Sequence, residues 1–164
     1  MKLTHISKLE FDRLEGVRKI IVHDYAKRFA SLDLGNSLGI YGMSWTSVSL
    51  DPIIIVSEEQ NTVWLGVDRQ VAAIALETGR ILMSLPLNIN IVQIQAIGQI
   101  TAVLTEEEIF LFNPGCSLRL HEDLPDQGIA LLQKDENIMI QMLEGETLII
   151  NPMTGIVDRE MLFV

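Results

Sequence analysis

The stretch that decides the fold runs from residue 53 to residue 85. It reads Ile53-Ile54-Ile55-Val56, a polar break at Ser57 to Asn61, then Thr62-Val63-Trp64-Leu65-Gly66-Val67 and a second break at Asp68-Arg69-Gln70. Val71 to Leu76 follows, then Glu77-Thr78-Gly79 and Arg80-Ile81-Leu82-Met83-Ser84-Leu85. Each apolar run is short, rich in β-branched side chains and bounded by turn formers, which marks strands rather than helices. Four strands joined by tight turns make an antiparallel meander. Gly79 closes the third turn, where the reversing backbone needs positive φ.

The pattern recurs. Ile91-Val92-Gln93-Ile94 restarts the series 38 residues on, through Ile100 to Leu104, Thr105-Glu106-Glu107-Glu108, Ile109 to Phe112, Asn113-Pro114-Gly115 and Cys116 to Leu120. Ile129-Ala130-Leu131-Leu132 restarts it after another 38, through Asn137 to Leu143, Glu144-Gly145-Glu146, Thr147 to Ile150 and Asn151-Pro152-Met153-Thr154-Gly155. A fixed period of this kind signals a repeat architecture whose units bury their apolar faces on one another. The expected layout is one domain over 1–164, with repeats at 53–88, 91–126 and 129–162 and a less regular unit at 1–50.

The amino-terminal unit reads two ways. As a weak fourth copy, Arg18 to Asp24 and Arg28 to Leu32 are strands, turning at Asp33 to Asn36 into Ser37 to Met43. As a helix, Phe11, Leu14, Val17, Ile21, Tyr25 and Phe29 recur at three- and four-residue steps. Gly16 and the cluster Ile20-Ile21-Val22 favour strand, whereas Asp24 to Phe29 is locally helical in character.

Trp64-Leu65-Gly66-Val67-Asp68, with the strand ending Ala75-Leu76-Glu77-Thr78-Gly79 and then Arg80-Ile81-Leu82, resembles a blade of a β-propeller of the quinoprotein-like or WD-like type. In that type a D-x-x-T-G turn joins the third and fourth strands of a four-stranded meander. Glu77 stands here in place of the usual Asp, and the two later copies carry Asn-Pro corners instead. The resemblance spans 53–162 and is specific at 62–82; it implies an architecture and no activity. The fold class that follows is all-β, three to four four-stranded antiparallel meander units, a small or partial β-propeller-like array. Propellers have four to eight blades. The chain therefore either closes as a very small ring or stays open and pairs with another copy through its unpaired edges, and a homo-oligomer is expected.

Composition bounds the function. The chain has 164 residues, 48% of them hydrophobic and 21% charged, enough for a substantial aliphatic core. The formal net charge is −10, distributed as +2 over residues 1–50 and −12 over 51–164. That excess disfavours nucleic acid, whose binding relies on Lys and Arg neutralising phosphates. The longest apolar runs fall far short of a membrane span, and the first residues lack the apolar stretch of a secretory signal. One cysteine, Cys116, leaves no intramolecular disulfide, and the expected compartment is the cytoplasm.

Motifs for chemistry are missing. His5, His23 and His121 have no metal-ligand spacing among themselves, and His121 beside Glu122-Asp123 reads as a solvated or ion-paired loop residue. The sequence has no GxSxG elbow, GxGxxG or phosphate loop, so neither catalytic residue nor cofactor is assigned. Cys116 has no cationic neighbour in sequence to activate it and reads as an inert thiol. Trp64 alternates within a strand and belongs to the core, while Trp45 lies in a Ser/Thr-rich segment that could expose it.

The pattern of most functional interest is acidic. Glu106-Glu107-Glu108, Glu58-Glu59, Asp135-Glu136 and Glu144-Gly145-Glu146 all fall at expected turns, and equivalent turns of stacked units would set them on a shared rim. The ordinary reading of such tips is solubility. The leading functional expectation is a non-enzymatic module that presents Glu106, Glu107, Glu108, Glu58, Glu59 and Trp45 to a basic protein partner. The alternatives are a small immunity or inhibitor protein that neutralises a basic enzyme, and an enzyme whose site no motif reveals.

Overall fold

A computed structural model describes residues 1–155 and 157–161. The chain divides into two compact units, Met1–Asn88 and Ile89–Val164. Four four-stranded sheets account for nearly all regular structure. The expected end of the third repeat at residue 162 lies outside the described residues.

In the first unit, β1 (Lys2–Ile6) leads through Ser7 into a short helix, α1 (Lys8–Asp12). Ser7 and Glu10 form a capping box there, each side chain bonded to the other's backbone. A 3-10 turn at Gly16–Arg18 precedes β2 (Lys19–Ile21), and β3 (Arg28–Asp33) and β4 (Ile40–Trp45) form a hairpin. The sheet order is β1-β3-β4-β2, with β2 parallel to β4. This corrects the fourth-copy reading. Ile20 and Ile21 are strand, but beside β4 rather than β3, and β1 was not foreseen. The helical alternative ends at Asp12, and Asp24–Tyr25 is a turn. The helix-like spacing has another cause: Phe11 of α1 and Phe29 of β3 pack their rings 5.3 Å apart.

The second sheet follows the meander as read, with β5 (Ile53–Ser57), β6 (Thr62–Val67), β7 (Gln70–Ala75) and β8 (Ile81–Pro86) in sequential antiparallel order. Every residue of β6 is buried. Ile21, Leu32, Tyr41, Met43, Trp45, Leu65 and Ile74 are among the fully buried residues of the core that joins the two sheets. β2 is tied to the second sheet by Ser84, whose hydroxyl donates to the Ile20 carbonyl at 2.7 Å, and by Gln70, which accepts from the Val22 N–H at 3.1 Å. At the corner after β7, Gly79 has φ +72, and an added Cβ would stand 2.6 Å from the Leu38 carbonyl oxygen. The buried Tyr41 hydroxyl donates to the Gly79 carbonyl. Glycine is thus required twice over at this turn.

The second unit repeats the plan: β9 (Ile91–Ile97), β10 (Ile100–Thr105), β11 (Glu108–Phe112) and β12 (Leu118–Asp123), then β13 (Gly128–Lys134), β14 (Asn137–Met142), β15 (Glu146–Ile150) and β16 (Val157–Met161), each sheet in sequential order. Its core joins β10 and β11 to β13, β14 and β15. One strand starts later than expected. Gly115 (φ +83) and Cys116 (φ +71) are both left-handed, so the corner is longer and β12 begins at Leu118 rather than Cys116. His121, Glu122 and Asp123 are therefore strand residues and not loop.

Candidate functional site

The acidic turn between β10 and β11 is held by its backbone. Thr105, fully buried, accepts at its hydroxyl oxygen from the N–H groups of Glu107 (3.3 Å) and Glu108 (2.9 Å) and donates to the Glu108 carbonyl (3.2 Å). The carbonyls of Glu106 and Glu107 accept from Gly128 (2.9 Å) and Leu124 (2.8 Å), and Glu106 donates to Asn90 (3.3 Å). The three glutamates thus project from a turn stitched to two neighbouring segments, not from a free hairpin tip. Gly128 permits the closeness: a Cβ there would stand 2.9 Å from both Leu104 Cδ1 and Leu124 Cδ1.

Register then brings further acids alongside. Glu108 lies directly opposite Asp123, and Phe110 opposite His121, on one face of the β11–β12 pair. The His121 ring stacks on Phe110 with centroids 4.3 Å apart and planes 8° from parallel, and its Nε2 meets Glu108 Oε2. In the loop after β12, Asp126 accepts from the N–H of Glu144 at 2.8 Å, linking this loop to the β14–β15 turn. The result is an open depression of about 510 Å³ whose lining includes Glu106, Glu107, Glu108, Asp123 and Asp126 and no cationic side chain. Like charges placed directly opposite on paired strands destabilise a sheet, so this end of the unit favours any positive group that approaches. Ligand atoms of Glu108, His121 and Asp123 lie within 4.8 Å of one another. That is three of the donors a divalent ion requires, but Glu108 and His121 are already hydrogen-bonded to each other, with His121 and Asp123 exposed.

The remaining candidates are placed elsewhere. Glu58 and Glu59 are exposed on the β5–β6 turn of the first unit. The shared rim is corrected: within β13–β16, Asp135-Glu136 precede β14 and Glu144 follows it, so they emerge at opposite ends of the strand. The acids divide because turns after first strands and turns after second strands point in opposite directions. Trp45 is also corrected, being fully buried. The 46–51 loop folds over it: Trp45 Nε1 donates to the Leu50 carbonyl at 3.0 Å, and Arg28 lies 5.0 Å above its ring while bound to Asp51 at 2.6 Å. Sequence reading gave Asp123 and Asp126 no role, since only strand register and loop closure bring them to the three glutamates.

One acid serves the structure alone. Asp68, 8% exposed at the β6–β7 turn, accepts from the Thr46 N–H (2.6 Å), the Thr46 hydroxyl (2.7 Å) and the Ser47 N–H (3.2 Å). Burial pushes its pKa up, but these donors and nearby His23 outweigh it and hold the carboxyl below its ordinary value. Cys116, half-buried, is pushed up to about 11 by burial and is a protonated thiol at neutral pH, which fits the inert reading.

No protein-family model matches this chain, and no curated protein resembles it in sequence. Solved structures do match in fold. The computationally designed Ika8 protein aligns over 85% of this chain and 47% of its own at 14% identity, with a TM-score of 0.58. The designed Ika4 protein aligns over 70% of this chain and 74% of its own at 15% identity and TM-score 0.58. The WD40 repeats of RRP9 align over 70% of this chain at 11% identity and TM-score 0.57, and the chain spans 40% of that structure's length. The architecture is thus a partial β-propeller-like array of WD40-like blades. At these identities the likeness is one of fold alone.

Proposed function

We propose that this protein is a non-enzymatic interaction module whose acidic end, built on Glu106, Glu107, Glu108, Asp123 and Asp126, receives a Lys/Arg-rich segment of a protein partner. One observation carries the reading: five carboxylates share one depression with no cationic side chain in its lining, on a turn whose backbone is fixed on both sides. A fixed turn presents charge without the entropy cost of ordering a loop on binding. Scaffolds of WD40-like blades commonly serve as protein-binding modules, and one matching structure, BBS1N, is in complex with ARL6DN. The lone cysteine supports a meeting place in the reducing cytoplasm. Charge of one sign in a concave setting mainly accelerates association and makes it salt-dependent.

The test is titration of a fluorescent oligo-lysine/arginine peptide into the full chain at low and physiological ionic strength. Binding that weakens with salt and drops by about tenfold in the Glu106→Gln, Glu107→Gln, Glu108→Gln triple variant supports the reading. Equal affinity of the triple variant and the parent at low salt overturns it.

A further inference from the structure

Glu108, His121 and Asp123 share one face of the β11–β12 pair. Glu108 stands directly opposite Asp123, and His121 lies two residues before Asp123, where alternation returns side chains to the same side of a strand. A carboxylate oxygen of each acid and a ring nitrogen of His121 lie within 4.8 Å of one another. Among the described residues no other three His, Cys, Asp or Glu side chains gather in this way, although Glu106, Glu107 and Asp126 line the same depression. Register, and not acidity alone, makes the group.

The imidazole sets these three apart from a patch of negative charge. Phe110, opposite His121 on the same face, stacks on its ring at 4.3 Å with planes 8° from parallel. The stacked ring can reach a ligand only within its own plane, and its Nε2 points at Glu108, to which it is hydrogen-bonded. A neutral imidazole carries its hydrogen on either nitrogen. With the hydrogen on Nδ1, Nε2 turns a lone pair toward the carboxylates along the direction in which a metal ion binds. The carboxylates are like charges directly opposed across a strand pair, and a cation between them relieves that repulsion. The backbone beneath is already fixed: the Glu108 N–H donates to the Thr105 hydroxyl at 2.9 Å, and the Glu107 carbonyl accepts from Leu124 at 2.8 Å. The Glu108 side chain is 15% exposed and that of His121 43%, so the inner ligand is sheltered while the outer one is open to an arriving ion.

We propose that Glu108, His121 and Asp123 form a mononuclear site for a divalent first-row transition ion, with zinc as the probe. One nitrogen and two oxygens suit zinc and its neighbours, whereas magnesium and calcium take oxygen ligands. Zinc also binds such donors more tightly than manganese or ferrous iron. Ligands about 2.1 Å from zinc in a tetrahedron stand about 3.4 Å apart. The three ligand atoms therefore close by side-chain rotation while the strands stay in place, and the fourth position is left to water. A bound ion bridges β11 and β12 and so stabilises the folded chain. The site does not rest on the peptide-binding reading, because the ion needs His121 and the peptide does not.

The test is calorimetric titration of zinc chloride into the full metal-free chain, with thermal unfolding measured with and without zinc. A single ion per chain should bind with dissociation in the micromolar range, raise the unfolding midpoint and resist displacement by excess magnesium. His121→Gln, which keeps every carboxylate, should weaken zinc binding by about a hundredfold, and Asp123→Asn by about tenfold or more. Glu106→Gln combined with Glu107→Gln removes two charges of the depression and no ligand, and should leave zinc affinity within about threefold of the parent. His121 and Asp123 are exposed, so without zinc neither variant should unfold below the parent, which separates a lost ligand from a lost fold. His121→Gln should also leave binding of the oligo-lysine/arginine peptide unchanged, so failure of the metal site and failure of the peptide reading are distinct results. A chain with no saturable zinc binding overturns the proposal. Zinc affinity that His121→Gln leaves unchanged overturns it too, because the ion is then held by the acidic field and not by these three ligands.

Discussion

The first and last sheets of the chain solve the same problem differently. Each packs one face into its unit's core and has a second face to cover. At the first sheet the chain doubles back and lays α1 on that face: Phe11 is 5% exposed against Phe29, and Gly42 makes room, since a Cβ there would stand 2.6 Å from Leu14 Cδ1. At the last sheet no helix follows among the described residues, and Leu132, Met139 and Ile149 remain in part accessible. Blade-like sheets are apolar on both sides because they are built to stack. A terminal one needs either a cap from its own chain or a neighbour from another.

Removing the cap should have the largest effect. Phe11→Ala deletes the ring that α1 buries and should cost about 3 kcal/mol of stability, read as a lower midpoint in urea unfolding. Substitutions on the uncapped face are the counterpart and come last in magnitude.

The acids of the two units make a second contrast, buried and bonded against displayed. Asp68→Asn removes the charge from three hydrogen bonds and should cost about 2 kcal/mol at neutral pH. The sign of its pH dependence follows from the lowered pKa. Asp68 contributes fully above its ordinary value of 3.8, and the contribution is lost as pH falls from there through the folded-state value. Acid unfolding of the parent should therefore be steeper below that pH than in Asp68→Asn. At the displayed end the sign reverses. Asp123→Asn removes one of two carboxylates directly opposed on β11 and β12 and should raise stability by several tenths of a kcal/mol at low salt. A loss there would mean that Asp123 makes a favourable contact.

The smallest effect should be at the open face. Leu132→Gln, at a position 44% exposed, should change monomer stability by no more than about 0.5 kcal/mol, measured where dilution keeps the chain monomeric. A cost near that of Phe11→Ala would show that the two faces are equally covered and would end the comparison.

Much of this was legible in the sequence, for local reasons. The three meanders and their glycine corners follow from alternation, β-branched runs and turn chemistry, all read within a few residues. The amino-terminal sheet was not legible, because β1 joins β3 and β2 joins β4 across intervening segments that no periodicity records. Trp45 misled because a polar Ser/Thr-rich neighbourhood in sequence became a loop closed over an indole by Arg28 and the Leu50 carbonyl. Glu106, Glu107 and Glu108 could be nominated from their run alone. Asp123 could not, because β12 starts only after the two left-handed residues Gly115 and Cys116, and a one-residue register shift between Leu111 and Phe112 in the β11–β12 pair then sets Asp123 against Glu108.

By itself, then, the sequence determined that the chain is all-β, built on a 38-residue period of four-stranded units, and acidic over its last two thirds. These are properties of spacing and composition, which short-range sterics and burial translate directly into strands and turns. Only the tertiary structure decided which carboxylates share a depression, which sheet face has a cap and which lies open. Those outcomes depend on register and on contacts between residues far apart in the chain, and no local propensity encodes them.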